Sequence, residues 1–518
     1  MVTGRTLAAS QETFWLSFCR TLDPKATFGR KFGRRTTKTK SRPDKKIMQP
    51  KPRGHSAWCN TSLPLSMSLI KPALLSCAVF GSLALLLEYR RRKRRPRSNE
   101  NDQSTAAAYD ALVGHTPLVK LQRLSHLLQR DIYVKMESMN PGGTGKDRAA
   151  LGMIRAAERE RRLPQPNNSQ TATRPTMENK LSSGPTTLGA LQKGEKVNDV
   201  LLDAYIQKAM IHSTSGGLVV EGTSGSTGIA LAQLCRSRGH ACLVTLPDDQ
   251  AVEKQRLLRA LGASVIVVPT ASISHPQHYV NLARRLAERA RQAHGIAAVF
   301  MNQFENPANV YTHYTETGPE IWKDCDRIDA FCMSAGTGGT LAGVGRFLKE
   351  TTAGHCHVVL VDPPGSVLYH KIQHGVAFTP QQAERSLRRH RYDTIAEGIG
   401  LDRLTHNISC GLDYIDEAIR VTDQEALDMA HWLLQREGLW VGSSSSMNVV
   451  GAIRTALTLP PGSCVVTVIC DAGSRHVTRF WNRDFCEKWG LNWPQEEGKD
   501  ESRVPECLQP VYDALAVA

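Results

Sequence analysis

The chain contains no Cys-x-x-Cys pair, and its 13 cysteines fall at no Cys/His spacing that suits a structural zinc ion. They lie in apolar stretches such as Phe331-Cys332-Met333 and Val468-Ile469-Cys470, the setting of buried free thiols in a reducing compartment, not of a disulfide framework. No Gly-x-x-x-x-Gly-Lys-Ser/Thr loop for a nucleoside triphosphate occurs, and no Gly-x-Gly-x-x-Gly follows the first expected strand. No segment repeats at a fixed period, which excludes a solenoid. Acidic residues are almost missing from residues 1–97, where 22 Lys and Arg face 4 Asp and Glu, a net of +18. The whole chain carries +16, so residues 98–518 carry −2. The basic charge belongs to a leader, and the remainder offers no basic stripe of the kind nucleic-acid binding requires.

What is present divides the chain into zones. Residues 1–68 form a basic leader rich in Arg, Lys, Ser and Thr without hydrophobic period, the composition of a mitochondrial targeting segment or of a plain basic tail. Leu69 to Tyr89 is apolar apart from Lys71 and Glu88 and is long enough for one transmembrane helix, with Lys71 able to snorkel from its end. The arginine cluster Arg90 to Arg97 begins a linker that runs to residue 106. It stands where a cleaved signal would need small residues, so the helix reads as an anchor with the cytosol on its C-terminal side. Met67 offers an alternative start just before that helix, giving the layout of a single-pass outer mitochondrial membrane protein whose main domain faces the cytosol.

From residue 107 to 490, short apolar runs alternate with amphipathic stretches. Expected strands are Ile132–Met136, Leu218–Glu221, Ala241–Leu246, Ser264–Val268, Ala298–Asn302, Ala330–Ser334, His357–Val361 and Cys464–Cys470. Continuous apolar strands separated by helices, such as Gln255–Leu261 and His278–Ala293, indicate an α/β fold with parallel sheets covered on both faces. Residues 163–196 break the rhythm with Pro, Asn, Ser, Thr and Gly, and read as a solvated insertion; residues 491–518 read as a C-terminal tail.

Three strand-to-helix turns carry chemistry. Asn140-Pro141-Gly142-Gly143-Thr144-Gly145-Lys146-Asp147-Arg148 precedes a helix expected near Ala149, and a lysine held there can form an imine with an aldehyde cofactor and act as a base. The other possibility is a surface lysine on a glycine-rich turn. Ser334-Ala335-Gly336-Thr337-Gly338-Gly339-Thr340 lets backbone N–H groups converge on a phosphate at a helix N-terminus. A lysine motif and a separate phosphate cup together suggest pyridoxal phosphate. Glu221-Gly222-Thr223-Ser224-Gly225-Ser226-Thr227-Gly228 presents hydroxyls and amides that could clamp a carboxylate, or serve only as a helix cap.

With these motifs the chain resembles the fold-type II pyridoxal-phosphate enzymes, specifically the cysteine synthase and cystathionine β-synthase group, nearest to its membrane-anchored fungal-type members. The resemblance runs from Thr116-Pro117-Leu118 to Trp489 and includes Asn302-Gln303-Phe304, His313-Tyr314, Thr317-Gly318-Pro319-Glu320, Glu397-Gly398-Ile399-Gly400 and Val441 to Ser446. It implies two parallel-sheet domains of the tryptophan synthase β type with the cofactor between them, and a homodimer. It implies Lys146 as the imine lysine and α-proton base. Ser226, Gly336, Thr337, Gly338, Gly339, Thr340 and Ser444 would hold pyridoxal phosphate, and Thr223, Ser224, Gly225, Thr227 and Gln303 the substrate carboxylate, with no metal. The implied reaction joins O-acetyl-L-serine and sulfide into L-cysteine with release of acetate. The hydroxyl of Ser444 facing the pyridine nitrogen would not keep a proton there, which suits β-elimination better than transamination.

The chain departs from the family at Thr144, which replaces a Ser, at Ser226, which replaces an Asn, and at Ala472, where the late strand usually ends in Pro-Asp-Ser. Cystathionine β-synthase shares the motifs, but no regulatory tandem module follows Trp489. Threonine dehydratase fits less well, because its relatives carry Ser-Phe-Lys at the imine. A membrane-tethered, inactive relative is the reading from a different class.

Overall fold

The computed structural model describes residues 105–166, 191, 197–379, 394–494 and 504–517. The chain separates into two units, Met1–Asp102 and Gln103–Ala518. The basic leader at 1–68, the expected anchor at 69–89 and the linker up to residue 104 lie outside the described residues. Among the described residues, no helix is long and apolar enough to cross a membrane.

Among the described residues, ten strands form two sheets: β1 (Leu118–Lys120), β2 (Asp131–Met136), β3 (Gly217–Gly222), β4 (Ala241–Pro247), β5 (Ser264–Val268), β6 (Ala297–Phe300), β7 (Ala330–Ser334), β8 (His357–Asp362), β9 (Glu417–Arg420) and β10 (Cys464–Ile469). The larger sheet runs β1-β2-β10-β7-β8-β9 and the smaller β5-β4-β3-β6. Every pairing is parallel except β1 with β2. All residues of β3, β4, β7 and β10 are buried, as apolar strands with helices on both faces must be. The chain begins in the large sheet, crosses to build the small one, and returns. A space open to ligands therefore falls between them.

All eight expected strands are present, within about two residues at each end. Several details differ from the expectation. The strand expected to reach Asn302 stops at Phe300, because Asn302 takes a left-handed backbone with φ of 53° and turns the chain. β1 and β9 were not expected. They have three and four residues and lie at the two edges of the large sheet, too short to give an apolar run. The helix expected near Ala149 begins at Lys146, since the Asp147 carboxylate accepts the Thr144 N–H at 3.1 Å and closes the first turn early.

The solvated reading of 163–196 holds less well at its ends. Residues 167–190 and 192–196 lie outside the described residues, but Leu163 and Leu191 are buried in apolar clusters. The Leu191 N–H also donates to the Val267 carbonyl at 2.9 Å, so this leucine docks on β5. All ten cysteines among the described residues are free, as their apolar settings suggest.

Candidate active site

Loops leaving the carboxyl ends of β2, β3, β6, β7 and β10 converge on one cleft between the sheets, where open parallel sheets bind ligands. Ten of the thirteen predicted site residues line it. Lys146 stands on the wall at the first turn of its helix, and its backbone N–H bonds the Thr144 hydroxyl at 3.1 Å. The turn before it is tied down from beneath. Arg148, fully buried, grips both oxygens of Glu137 at 2.8 Å each and both of Glu320 at 2.7 and 2.6 Å. Lys135, also fully buried, adds a 3.0 Å ion pair to Glu320. Each buried charge thus has an opposite partner, the condition under which such groups are tolerated. Burial pushes the Asp147 carboxyl up to about 6.

Gly336, Thr337, Gly338 and Thr340 line the same cleft where the helix Gly339–Thr351 begins. A Cβ on Gly336 would stand 2.1 Å from the Gly398 carbonyl oxygen, so only glycine allows the two loops this approach. Gly339 does not reach the wall; its α-carbon faces Asn309, whose amide donates to the Thr337 hydroxyl at 2.9 Å and to the Gln303 carbonyl at 2.9 Å. Thr340 Oγ1 lies 3.1 Å from His313 Nε2, and His313 Nδ1 lies 2.9 Å from Thr317 Oγ1. Burial pulls His313 down to about 3, so its ring is neutral. The Ser334 hydroxyl is buried on the same wall without a hydrogen-bond partner.

Ser224, Ser226, Thr227 and Gln303 complete the small-sheet side. The Thr227 hydroxyl donates to Gln303 Oε1 at 2.6 Å, and Gln303 Nε2 donates to the Gly222 carbonyl at 3.2 Å. Thr223 and Gly225 stand behind this wall. The Thr223 hydroxyl accepts the Gly225 N–H at 3.1 Å, and Gly225, at φ of 129°, is covered by the Lys254 stem, which a Cβ would meet at 2.7 Å. Beneath them, burial lifts Glu221 to about 8, which leaves it protonated at neutral pH. Ser444 and Cys470 close the floor; burial pushes the Cys470 thiol up to about 11. Ala472 is off the wall and pairs through its backbone with Val441.

The mouth holds a charged cluster that the sequence reading did not assemble. Lys254 Nζ, from the small-sheet side, bonds Glu397 Oε2 at 2.6 Å. His476 places Nδ1 3.2 Å from that same oxygen and Nε2 2.8 Å from Asp471 Oδ2, and Arg479 approaches Glu397 Oε1 at 3.3 Å.

The Pyridoxal-phosphate dependent enzyme family matches residues 109–175 and 198–471. The chain belongs to that family. Its cofactor is therefore pyridoxal phosphate, and the residues present suit it. A glycine cradle at a helix N-terminus and the unpartnered Ser334 hydroxyl line the cleft, where a phosphate needs donors, and Lys146 lines the same cleft. The gap between the two matched segments coincides with most of the expected insertion.

Among curated relatives, the chain is 43% identical over 374 residues to the Saccharomyces cerevisiae protein named "Putative mitochondrial cysteine synthase", covering 72% of this chain and 83% of that one. It is 41% identical over 382 residues to "Cysteine synthase 2" of Schizosaccharomyces pombe, covering 73% and 84%. The cystathionine β-synthase of Apis mellifera is 30% identical over 388 residues, covering 74% of this chain and 62% of that protein. Among solved structures, that of O-ureido-L-serine synthase superposes with a TM-score of 0.53 at 24% identity, covering 80% of this chain and 99% of its own, a likeness of fold.

Proposed function

We propose that the protein is a cysteine synthase that makes L-cysteine and acetate from O-acetyl-L-serine and sulfide. The observation that carries this is identity of 41–43% to relatives named cysteine synthase, spread over most of both chains, against 30% to a cystathionine β-synthase. When bound, pyridoxal phosphate supplies an aldehyde for covalent capture and a sink for electrons released at the α-carbon. Lys146 would be the amine that holds that aldehyde, and its free amine would be the base that takes the α-proton. Gly336, Thr337, Gly338 and Thr340 would hold the phosphate, with Thr340 oriented by His313 and the Ser334 hydroxyl beside it. Because His313 is neutral, it can donate from Nε2 to Thr340 and accept from Thr317 at Nδ1, leaving the Thr340 hydrogen free for the phosphate. Ser224, Thr227, Gln303 and the loop shaped by Thr223 and Gly225 receive the substrate carboxylate. Ser226 and Ser444, both on the cleft wall, would hold the ring, and the Ser444 hydroxyl would keep no permanent proton on its nitrogen.

Cystathionine synthesis is the second reading, favoured by shared motifs. Assay of O-acetylserine, serine and O-phosphoserine, each with sulfide and with homocysteine, separates the two. The highest kcat/KM is expected for O-acetylserine with sulfide; serine with homocysteine giving the highest value refutes the proposal. We further infer a mitochondrial location from the basic leader and the yeast relative's name. The finer picture adds a single anchor at 69–89 in the outer membrane, a catalytic region at 107–490 facing the cytosol, and a homodimer. The anchor and its orientation rest on the apolar run and its arginine flank, and the homodimer on the family resemblance.

A further inference from the structure

Far from the cleft, two thiols face each other. Cys464 is the first residue of β10 and Cys325 lies in the segment leading to β7, five residues before Ala330. Their sulfurs are 3.4 Å apart although 139 residues separate them in sequence. The active-site loops leave the opposite, carboxyl ends of these same strands. A six-residue strand spans roughly 20 Å, so the pair and the chemistry sit at opposite ends of the sheet.

The surroundings favour reaction at this pair over the other buried cysteines. Cys325 and Cys464 keep 8% and 6% of their surface exposed, much as Cys507 and Cys242 do at 7% and 6%, whereas Cys332, Cys356 and Cys486 keep none, so what sets this pair apart is its short sulfur–sulfur distance. The Cys325 thiol is also bonded to the Arg327 carbonyl at 3.1 Å, which fixes its rotamer towards its partner. A thiolate at Cys325 would be stabilised by the hydrogen bond from the Cys464 thiol, so the first proton leaves the pair more easily. Cys325 is accordingly pulled down, while Cys464, sharing that bond, is pushed up. Asp131, Asp326 and Asp329 nearby oppose ionisation, and Lys120 lies beside Asp131 at 2.6 Å.

We propose that Cys325 and Cys464 are a modification site, a dithiol that hydrogen peroxide converts into an intramolecular disulfide fastening the β7 entry to β10. In the first step the Cys325 thiolate attacks one peroxide oxygen; the O–O bond breaks, and the second oxygen leaves as hydroxide and takes a proton to become water. The sulfur is now a sulfenic acid. In the second step the Cys464 sulfur, losing its proton, attacks that sulfur and expels the hydroxyl, which leaves as water. Two thiols and one peroxide thus give one disulfide and two waters.

The bond would join strands whose register is already set, Val465 opposite Ala330 and Val466 opposite Phe331, so it reinforces an existing contact. A bridge closing so long a loop restricts the unfolded chain strongly, and roughly a 5 °C rise in Tm is expected. The cleft is untouched, so β-replacement activity stays unchanged.

The test uses the full-length holoenzyme treated with graded hydrogen peroxide, quenched by alkylation and mapped by peptide mass spectrometry. Expected are a loss of 2 Da, one linked peptide pair containing Cys325 and Cys464, and a rise in Tm that dithiothreitol reverses. In Cys464→Ser both the link and the Tm rise vanish, and a sulfenic-acid probe labels Cys325. Recovery of both peptides as separate alkylated thiols from peroxide-treated wild type overturns the proposal. So does a link between Cys235 and Cys242 in place of this one, or a Tm rise that persists in both Cys325→Ser and Cys464→Ser.

Discussion

His476 gives the sharpest check on the charged cluster at the cleft mouth. Its ring is almost fully buried, with one nitrogen 2.8 Å from Asp471 and the other 3.2 Å from Glu397. Burial alone would favour the neutral ring, but the two carboxylates override it and hold His476 up at about 9. An unfolded histidine titrates near 6.5. Because the folded value is the higher, the charged ring stabilises the fold fully below pH 6.5, and that contribution is lost as pH rises through about 9. The gap is worth about 3 kcal/mol. Asp471 and Glu397 shift the opposite way: burial would raise them, but His476, Lys254 and neighbouring cations hold them low, so their contribution is lost only as pH falls below the usual carboxylate range.

His476→Gln keeps a polar side chain but removes the titration. The perturbation is read as the stability difference between wild type and variant, from urea titrations followed by tryptophan fluorescence at pH 6.5 and 9.5. Other titrating groups cancel in that difference. Wild type should lead at pH 6.5, and its lead should shrink by about 3 kcal/mol at pH 9.5. A lead that stays constant across this window shows that His476 is not held charged, and the account of the cluster fails.

Lys146→Ala should abolish both the cofactor's visible absorbance in the purified protein and β-replacement; turnover near wild type would reverse the assignment of the base. Gly336→Ala forces a Cβ to 2.1 Å from the Gly398 oxygen, so overpacking of about 1–3 kcal/mol should weaken pyridoxal-phosphate retention roughly 5- to 150-fold in reconstitution titrations, and unchanged retention counts against the cup. Removal of residues 1–97 should release an active, soluble, cofactor-loaded enzyme from a full-length chain that resists carbonate extraction of membranes; extraction of the full-length chain by carbonate removes the anchor.

How far the sequence could be read depended on how local each feature is. Strands such as Ser264–Val268 and Ala330–Ser334 were legible to the residue, because a run of buried apolar side chains bounded by polar turns encodes its own ends. The three turns were legible too, since Lys146, the glycines of 336–339 and the hydroxyls of 223–227 each act through backbone that their neighbours shape. Even there the wall was overestimated. Thr223, Gly225 and Gly339 belong to the motifs but serve the loop from behind, which only the positions of Lys254 and Asn309 reveal.

What escaped reading is built from distant partners. Glu397 belongs to one of the family motifs, yet nothing within that motif says that Lys254, 143 positions earlier, and His476, much later, would close on it. A lysine in an amphipathic helix is ordinarily solvated, and a lone histidine carries no sign of its neighbours. Cys325 and Cys464 are the same case at the other end of the sheet. Cys464 looks like one more buried thiol in an apolar run and Cys325 sits between Asp324 and Asp326, and the parallel pairing of β10 with β7 makes them neighbours. The fold therefore decides the charge of His476 and the reactivity of Cys325 through topology, whereas Lys146 has its neighbourhood written beside it. Substitutions within the motifs should act on cofactor and substrate, and those at Lys254, His476 or Cys464 should register first in how the two ends of the sheets are held.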